Sequence, residues 1–358
     1  MPGQGRLYRD LGSFEIANFT DHDDTGVLPE QRAERPGERI ADIGVNLDLV
    51  HPADVVFDRV RDSDDFLGAV ADRLQRRVER CRTAPCKTWA GSISKTVAGG
   101  EIDNLDEGGF GALTITKSIT IDGGGANIAS TLVSATAGMN INAASNDVVI
   151  LRNLQFDGLL GNGTGTAGTP GTQGINVIAA GRVVIENCHI FGFASTGIFI
   201  GPAGGTVNVK IQNTTVNNNG GGIDVKPTSG TVNVQIERTH SDENVGGGIR
   251  IDGTAGGTVN ASITDTSASL NGTNALNALS GTSNVTVDVE RAVFGQNGGI
   301  GVNATNANGG TATVTVGSSI LSNNATAWGI AGTASLQSYK NNQVTGAPGA
   351  SPATATFQ

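Results

Sequence analysis

Aromatic residues make up only 4% of this 358-residue chain, which also has just three cysteines and two methionines. A core organised around large rings is therefore excluded, and stability has to come from many small side chains. Three cysteines close no disulfide framework. Cys81 and Cys86 are near enough in sequence to pair with each other, which leaves Cys188 over. His189 follows Cys188, but no further ligands stand at metal-binding spacing, so no metal site and no cofactor are expected. Cys188 reads instead as a small buried residue. No run of 18 apolar residues occurs, so no transmembrane segment is expected. Lys and Arg number 23 against 33 Asp and Glu, a net charge of −10, which argues against a nucleic-acid partner.

Lysine is missing altogether from residues 1–80, although half of the chain's charged residues, including 11 Arg, lie there. Pro29, Pro36 and Gly37 interrupt this charged segment, and only Asp64–Arg80 places apolar residues (Phe66, Leu67, Val70, Leu74, Val78) at helical spacing. Partial disorder with short helices is expected over 1–80. The opening Met-Pro-Gly-Gln-Gly-Arg has no apolar stretch, so no signal peptide is expected. A genuine appendage and a wrongly placed start would both produce such a segment.

What the chain has in abundance is glycine, 53 residues of it, and a repeat. Aligning Thr206, Thr231, Thr258, Asn284 and Thr311 puts Val207, Val232, Val259, Val285 and Ala312 in one column. Val209, Val234, Ala261, Val287 and Val314 form the next apolar column, followed by Ile211, Ile236, Ile263, Val289 and Val316. Polar columns alternate with them: Asn208, Asn233, Asn260, Thr286, Thr313, then Lys210, Gln235, Ser262, Asp288, Thr315. Strict alternation is a strand with one buried face, and a fixed period stacks such strands coil upon coil. The fold class is all-β, a parallel β-helix. In the same register Asn219, Asn244, Asn271, Asn297 and Asn324 align. Such a column can bond amide to amide, each bond netting about 1 kcal/mol, with Asn271 in the middle mattering more than Asn324 at the end. The competing explanation is that each asparagine serves its own turn by accepting left-handed backbone geometry.

A second strand is expected at Gly197-Ile-Phe-Ile, Gly222-Ile-Asp-Val, Gly248-Ile-Arg-Ile and Gly299-Ile-Gly-Val. Ile198, Ile223, Ile249 and Ile300 then point inward, as do Ile200, Val225, Ile251 and Val302. Leu159 to Gln173 is a Gly/Thr-rich insertion that must loop out.

From Cys81 onward, Cys-Arg-Thr-Ala-Pro-Cys-Lys-Thr-Trp-Ala-Gly-Ser-Ile-Ser-Lys-Thr-Val-Ala-Gly-Gly-Glu-Ile and Asp106-Glu-Gly-Gly-Phe-Gly-Ala-Leu-Thr-Ile carry a resemblance. They resemble the opening of right-handed parallel β-helix proteins of the pectin-lyase-like superfamily, in particular bacterial exported members of unknown function. The resemblance covers about residues 81–345 and implies a right-handed solenoid. It also implies a short N-terminal capping helix, Thr88 to Val97, with Ile93 and Val97 toward the core, and an extracellular or cell-surface location. Residues 346–358 read as a disordered tail.

The candidate chemistry is thin. Asp224 aligns above Arg250 and Lys226 above Asp252, as two exposed ion pairs between coils, each worth less than about 1 kcal/mol. Arg238, Asp265 and Arg291 repeat the habit. Read functionally, Asp224, Lys226, Arg250 and Asp252 form a carbohydrate site. The two carboxylates are diagonal neighbours roughly 8 Å apart, inside the about 6.5–9.5 Å of inverting glycosidases. Polygalacturonase-like members of the superfamily carry Asn-Thr-Asp, Asp-Asp, Gly-His-Gly and Arg-Ile-Lys; this chain has only Arg250-Ile251-Asp252 in place of the last. The calcium carboxylates of a pectate lyase are also missing. Asp122 and Asp157 each precede Gly and read as turn caps, and His240 stands alone at a coil corner.

The resulting expectation is a monomeric, non-catalytic surface or extracellular β-helix that binds or scaffolds extended ligands, above all polysaccharide. The alternative is a lyase, hydrolase or epimerase acting on uronic-acid-containing polysaccharide through the Asp224 cluster.

Overall fold

A computed structural model describes residues 86–125, 129–159 and 169–356. The charged segment 1–80, Cys81 and most of the glycine-rich insertion lie outside the described residues. Cys86 is disulfide-bonded, and Cys188 is free and buried.

Thr88 caps helix α1 (Trp89–Lys95), its hydroxyl accepting the Gly91 N–H, as a capping threonine should. Ile93 packs against the core as expected, but the other inward residue differs. Trp89 is buried, with its indole N–H donated 2.9 Å to Thr131 Oγ1, while Val97 lies beyond the helix and is 59% exposed. The largest side chain nearby closes the first coil, and the smaller Val97 is left outside.

Among the described residues every pairing between named strands is parallel. Sheet A has 11 strands, from Gly100–Asp103 to Ala353–Thr354, and sheet C has 9, from Leu113–Ile115 to Thr326–Ala331. Sheet B is a five-stranded and a three-stranded piece joined by the bridges His240↔Ser267↔Val293. The chain is a parallel β-solenoid. In sheet A the register is the one the repeat dictates: Val207↔Val232, Val232↔Val259, Val259↔Val285, Val285↔Ala312. All three apolar columns face the core.

Sheet C departs from the expected register at its far end. Ile249 pairs with Leu276 and Leu276 with Val302, so Val302, not Ile300, continues the column of Ile223 and Ile249. The coil at Leu276–Ser280 lacks the Gly-Ile signature and was the strand that escaped recognition. Residues 346–356 also differ from the expected tail. Gly349 bridges Trp328, and Ala353–Thr354 pairs with Ser335–Ser338. An open solenoid end must cover its last apolar residues and pair its last strand, and this segment leaves Trp328 only 5% exposed.

The asparagine column is buried and continuous. Nδ2 of Asn219 donates to Oδ1 of Asn244 (3.2 Å), Asn244 to Asn271 (3.1 Å), Asn271 to Asn297 (3.0 Å) and Asn297 to Asn324 (2.8 Å). Each acceptor oxygen also takes the backbone N–H of the asparagine one coil earlier. None of the five has a positive φ. The residues before them do: Asn218, Glu243, Leu270, Gln296 and Asn323 lie between φ 53 and 59. The turn geometry is carried by the preceding residue, which disposes of the independent-turn explanation. Room for the amides comes from a facing small-residue column. A Cβ on Gly222 would lie 3.0 Å from Asn244 Nδ2, and one on Gly248 2.8 Å from Asn271 Nδ2.

The ladder has a direction, since each side-chain oxygen serves the asparagine one coil earlier. Removing the Asn271 amide leaves two buried donors of Asn244, its N–H and one Nδ2 proton, without an acceptor. Removing the Asn324 amide does so to the Asn297 N–H alone, because Asn297 Nδ2 keeps the Ala268 and Gly295 carbonyls. Removing Asn219 takes the acceptor from one donor, the Phe193 N–H, which donates 3.1 Å to its Oδ1. Asn271→Ala is expected to cost about 1–3 kcal/mol, and Asn324→Ala and Asn219→Ala visibly less. Urea unfolding of the three variants measures this; equal losses in all three contradict the assignment.

Candidate functional site

Strands Gly221–Val225 and Ile249–Asp252 lie side by side in sheet C, with Asp224 opposite Arg250. Ile223, Val225, Ile249 and Ile251 are buried, so alternation turns Asp224, Arg250 and Asp252 to the outer face. The structure brings all four expected residues together, but as one network rather than two exposed pairs. Arg250 bonds Asp252 through Nη2 and holds Nη1 3.8 Å from Asp224 Oδ2. Lys226 Nζ reaches Asp252 Oδ2 at 3.2 Å. Asp252 also accepts the Thr254 N–H at 2.8 Å and the Thr254 hydroxyl. Covered by these groups, its side chain is 0% exposed.

The two carboxyls are driven in opposite directions. Burial pushes Asp224 above the ordinary aspartate range, the charge of Asp252 adds to it, and Arg250 and Lys226 only partly offset it. Burial also acts to raise Asp252, but the Thr254 hydrogen bonds, Arg250 and Lys226 outweigh it and hold that group below the ordinary range. Asp252 is thus a saturated structural anion with no face toward solvent. Asp224 Oδ1 and Arg250 Nε are closed from solvent without a hydrogen-bond partner.

The remaining expectations resolve locally. Asp122 Oδ1 accepts the Gly124 N–H and Asp157 Oδ1 the Leu159 N–H, the turn caps foreseen. Asp122 also belongs to an acidic trio with Glu101 and Asp103, but the Arg152 guanidinium bonds Glu101 and Asp122 at 2.7 Å each and takes the place a cation would have. Arg291 pairs with Asp265 at 2.7 Å, whereas Arg238 turns to its neighbour Glu237, so the three-charge ladder is broken. Burial pushes the Cys188 thiol up to about 12, which makes it inert. His240 is not alone: Nδ1 lies 2.8 Å from Ser267 Oγ, which donates to Asp242 Oδ2 at 2.7 Å. The carboxylate holds the serine rather than the far imidazole nitrogen, so this trio does not form the relay of a serine hydrolase. Nothing in the sequence marks it, because Ser267 comes from the coil after the one that holds His240 and Asp242.

A feature with no single signature residue lies on the outer face of sheet A. There a groove of about 600 Å³ runs across adjacent coils, lined among others by Arg182, Lys210, Gln235, Ser262 and Asp288. Along it Asn233 Nδ2 donates to Asn208 Oδ1 (3.0 Å) and Asn260 Nδ2 to Asn233 Oδ1 (2.9 Å). These residues were legible as polar columns, but their amide-to-amide bonding was not.

No protein-family model matches the chain, and no curated protein matches it. Among solved structures, the A-module of a mannuronan C-5 epimerase of Azotobacter vinelandii is similar, at 13% identity over 71% of this chain and 91% of that one, with a TM-score of 0.25. A likeness this slight carries no argument about what this chain does.

The opposed shifts fix the sign of two pH effects. Asp252, held low, contributes stability that is present above the unfolded-state value and lost as pH falls through its lower folded value. Asp224, pushed up, contributes most when protonated and loses that contribution as pH rises. Asp252→Asn, which breaks a buried charge network, is expected to cost about 3–5 kcal/mol at pH 7. That deficit should shrink once the pH is low enough to protonate the wild-type carboxyl. Asp224→Asn is expected to be far milder at pH 7. Denaturant unfolding at neutral and acid pH checks both, and equal losses at pH 7 contradict the assignment.

Proposed function

We propose that the protein is a non-catalytic extracellular or cell-surface β-solenoid that binds polysaccharide along the outer face of sheet A. The groove carries this reading. Its amide ladder and the flanking Gln235 and Ser262 present short, uncharged donors and acceptors in register from coil to coil. A ligand that repeats along its own length meets the same groups at each coil. Arg182 and Lys210 stand toward one side and Asp288 toward the other, so the middle of the groove is nearly neutral, suited to hydroxyl-bearing sugars. Among the described residues the carboxyl of Asp252 is sealed by its own cations, which supports binding over turnover.

A second reading, a lyase, hydrolase or epimerase on uronic-acid-containing polysaccharide, is favoured by one observation. Asp224 is a largely buried carboxyl pushed upward beside two cations, the condition of a general acid.

Electrophoresis through gels containing neutral or acidic polysaccharides tests the first reading. Retardation by at least one polysaccharide is expected, with binding weakened about tenfold, or about 1.4 kcal/mol, in the Asn233→Ala/Gln235→Ala variant. No retardation in any gel, or the same retardation in the variant, removes the groove from consideration. New unsaturated or reducing ends from acidic polysaccharides, lost in Asp224→Ala, select the second reading.

A further inference from the structure

Of the nine described aromatic residues five are interior: Trp89, Phe156, Phe193 and Phe294 are buried to within 2% and Trp328 to within 5%. Phe110, Phe191, Phe199 and Tyr339 are only part-buried, and Phe191 already has the His189 ring at 4.7 Å. Among these, Phe199 belongs to sheet C. Its neighbours in the strand, Ile198 and Ile200, are both fully buried, so alternation places Phe199 on the outer face of sheet C, where it is half-buried. In the coil before, its partner is Asn176; in the coil after, it is Asp224.

The ring lies over a glycine. A Cβ on Gly201 would lie 2.4 Å from Cε1 and 2.8 Å from Cζ of Phe199, so the ring leans along its own strand across that residue. Gly201 has no positive φ, and no turn requires glycine there. What excludes a side chain at 201 is the ring itself. In the next coil the column through Gly201 holds Lys226, whose ammonium is engaged by Asp252.

We propose that Phe199 is a stacking platform for a neutral pyranose ring on the outer face of sheet C, with Asn176 and Asp224 as its polar flanks. An apolar face beside a few placed polar groups is what a sugar, with its C–H face and hydroxyl rim, requires. Asp224 Oδ2 stands 3.8 Å from Arg250, beyond hydrogen-bond length, and keeps capacity to accept from a hydroxyl. Asn176 gives its Nδ2 proton to Asn140 at 2.8 Å, which fixes the amide with its oxygen as the remaining acceptor. The adjoining charges, Asp224, Arg250, Asp252 and Lys226, cancel, so the flank favours an uncharged sugar over a uronic acid. This site lies on a different sheet from the groove and stands or falls separately from it.

Saturation-transfer NMR on the full chain with methyl β-D-glucopyranoside, methyl β-D-galactopyranoside and methyl α-D-mannopyranoside tests the proposal. Irradiating the protein's aromatic protons should transfer saturation to at least one of these sugars, most strongly to its ring C–H protons. Phe199→Tyr keeps the transfer, and Phe199→Ala reduces it about tenfold. If Phe199→Ala does not fold, Phe199→Leu keeps an apolar cover over Gly201 without a ring and should lose the transfer equally. Transfer that persists in the Leu or Ala variant, or that reaches none of the three sugars in the wild-type protein, overturns the proposal.

Discussion

A buried amide must find partners, and in this molecule that requirement fixes the relation of each coil to the next. The asparagines at 219, 244, 271, 297 and 324 are almost wholly removed from water. Each coil therefore has to present the next amide oxygen within about 3 Å of two waiting donors. Apolar columns alone tolerate sliding by two residues, because valine then meets valine again. A hydrogen-bonded column does not. The small residues opposite the ladder follow from it: Gly197, Gly222 and Gly248 leave the volume the amides occupy, and Ala275 takes the same place one coil on. Four glycines, Gly197, Gly222, Gly248 and Gly301, are thus accounted for by the space the ladder needs, while thirteen others among the described residues take a positive φ.

The fold was legible to the extent that its columns were chemically uniform. Sheet A repeats Thr-Val-Asn-Val almost without variation, and its register could be read directly. Sheet C could be read through Ile249, but not beyond it. Leu276-Asn-Ala-Leu shares neither the glycine nor the isoleucine of its neighbours, and Ile300 offered a false match two residues from the true one at Val302. Both ends were also obscured, since capping depends on what remains uncovered. Trp89 rather than Val97 closes the first coil, and Gly349 to Thr354 completes the last, although its Ala-Pro-Gly-Ser composition reads as a tail.

The candidate sites show the same boundary at the level of side chains. That Asp224 meets Arg250 follows from register alone. That Asp252 disappears from solvent does not, because it depends on Arg250 reaching along its own strand, on Lys226 reaching across, and on Thr254 folding back. His240 with Ser267 and Asp242 is equally a matter of reach. The outer faces therefore divide by chemistry. Sheet A offers repeating amides and hydroxyls, and sheet C offers one aromatic ring beside a self-cancelling charge network.

The direction of the ladder bears on how such a chain is made. Synthesis delivers coils in order from the N-terminus, and each asparagine from 219 to 297 points its backbone N–H and one Nδ2 proton toward the coil that has not yet emerged. The growing end is always the unsatisfied end, and the completed coils behind it are already closed. A nascent solenoid of this kind advances as a front, with a pair of open N–H groups marking how far it has reached. Phe193, which gives its N–H to the first asparagine, starts the series, and Asn324, which returns its Nδ2 to the Phe294 carbonyl, ends it. Lengthening the protein by duplicating a coil is accordingly simplest within the series, where the incoming asparagine finds a donor pair on one side and an acceptor on the other.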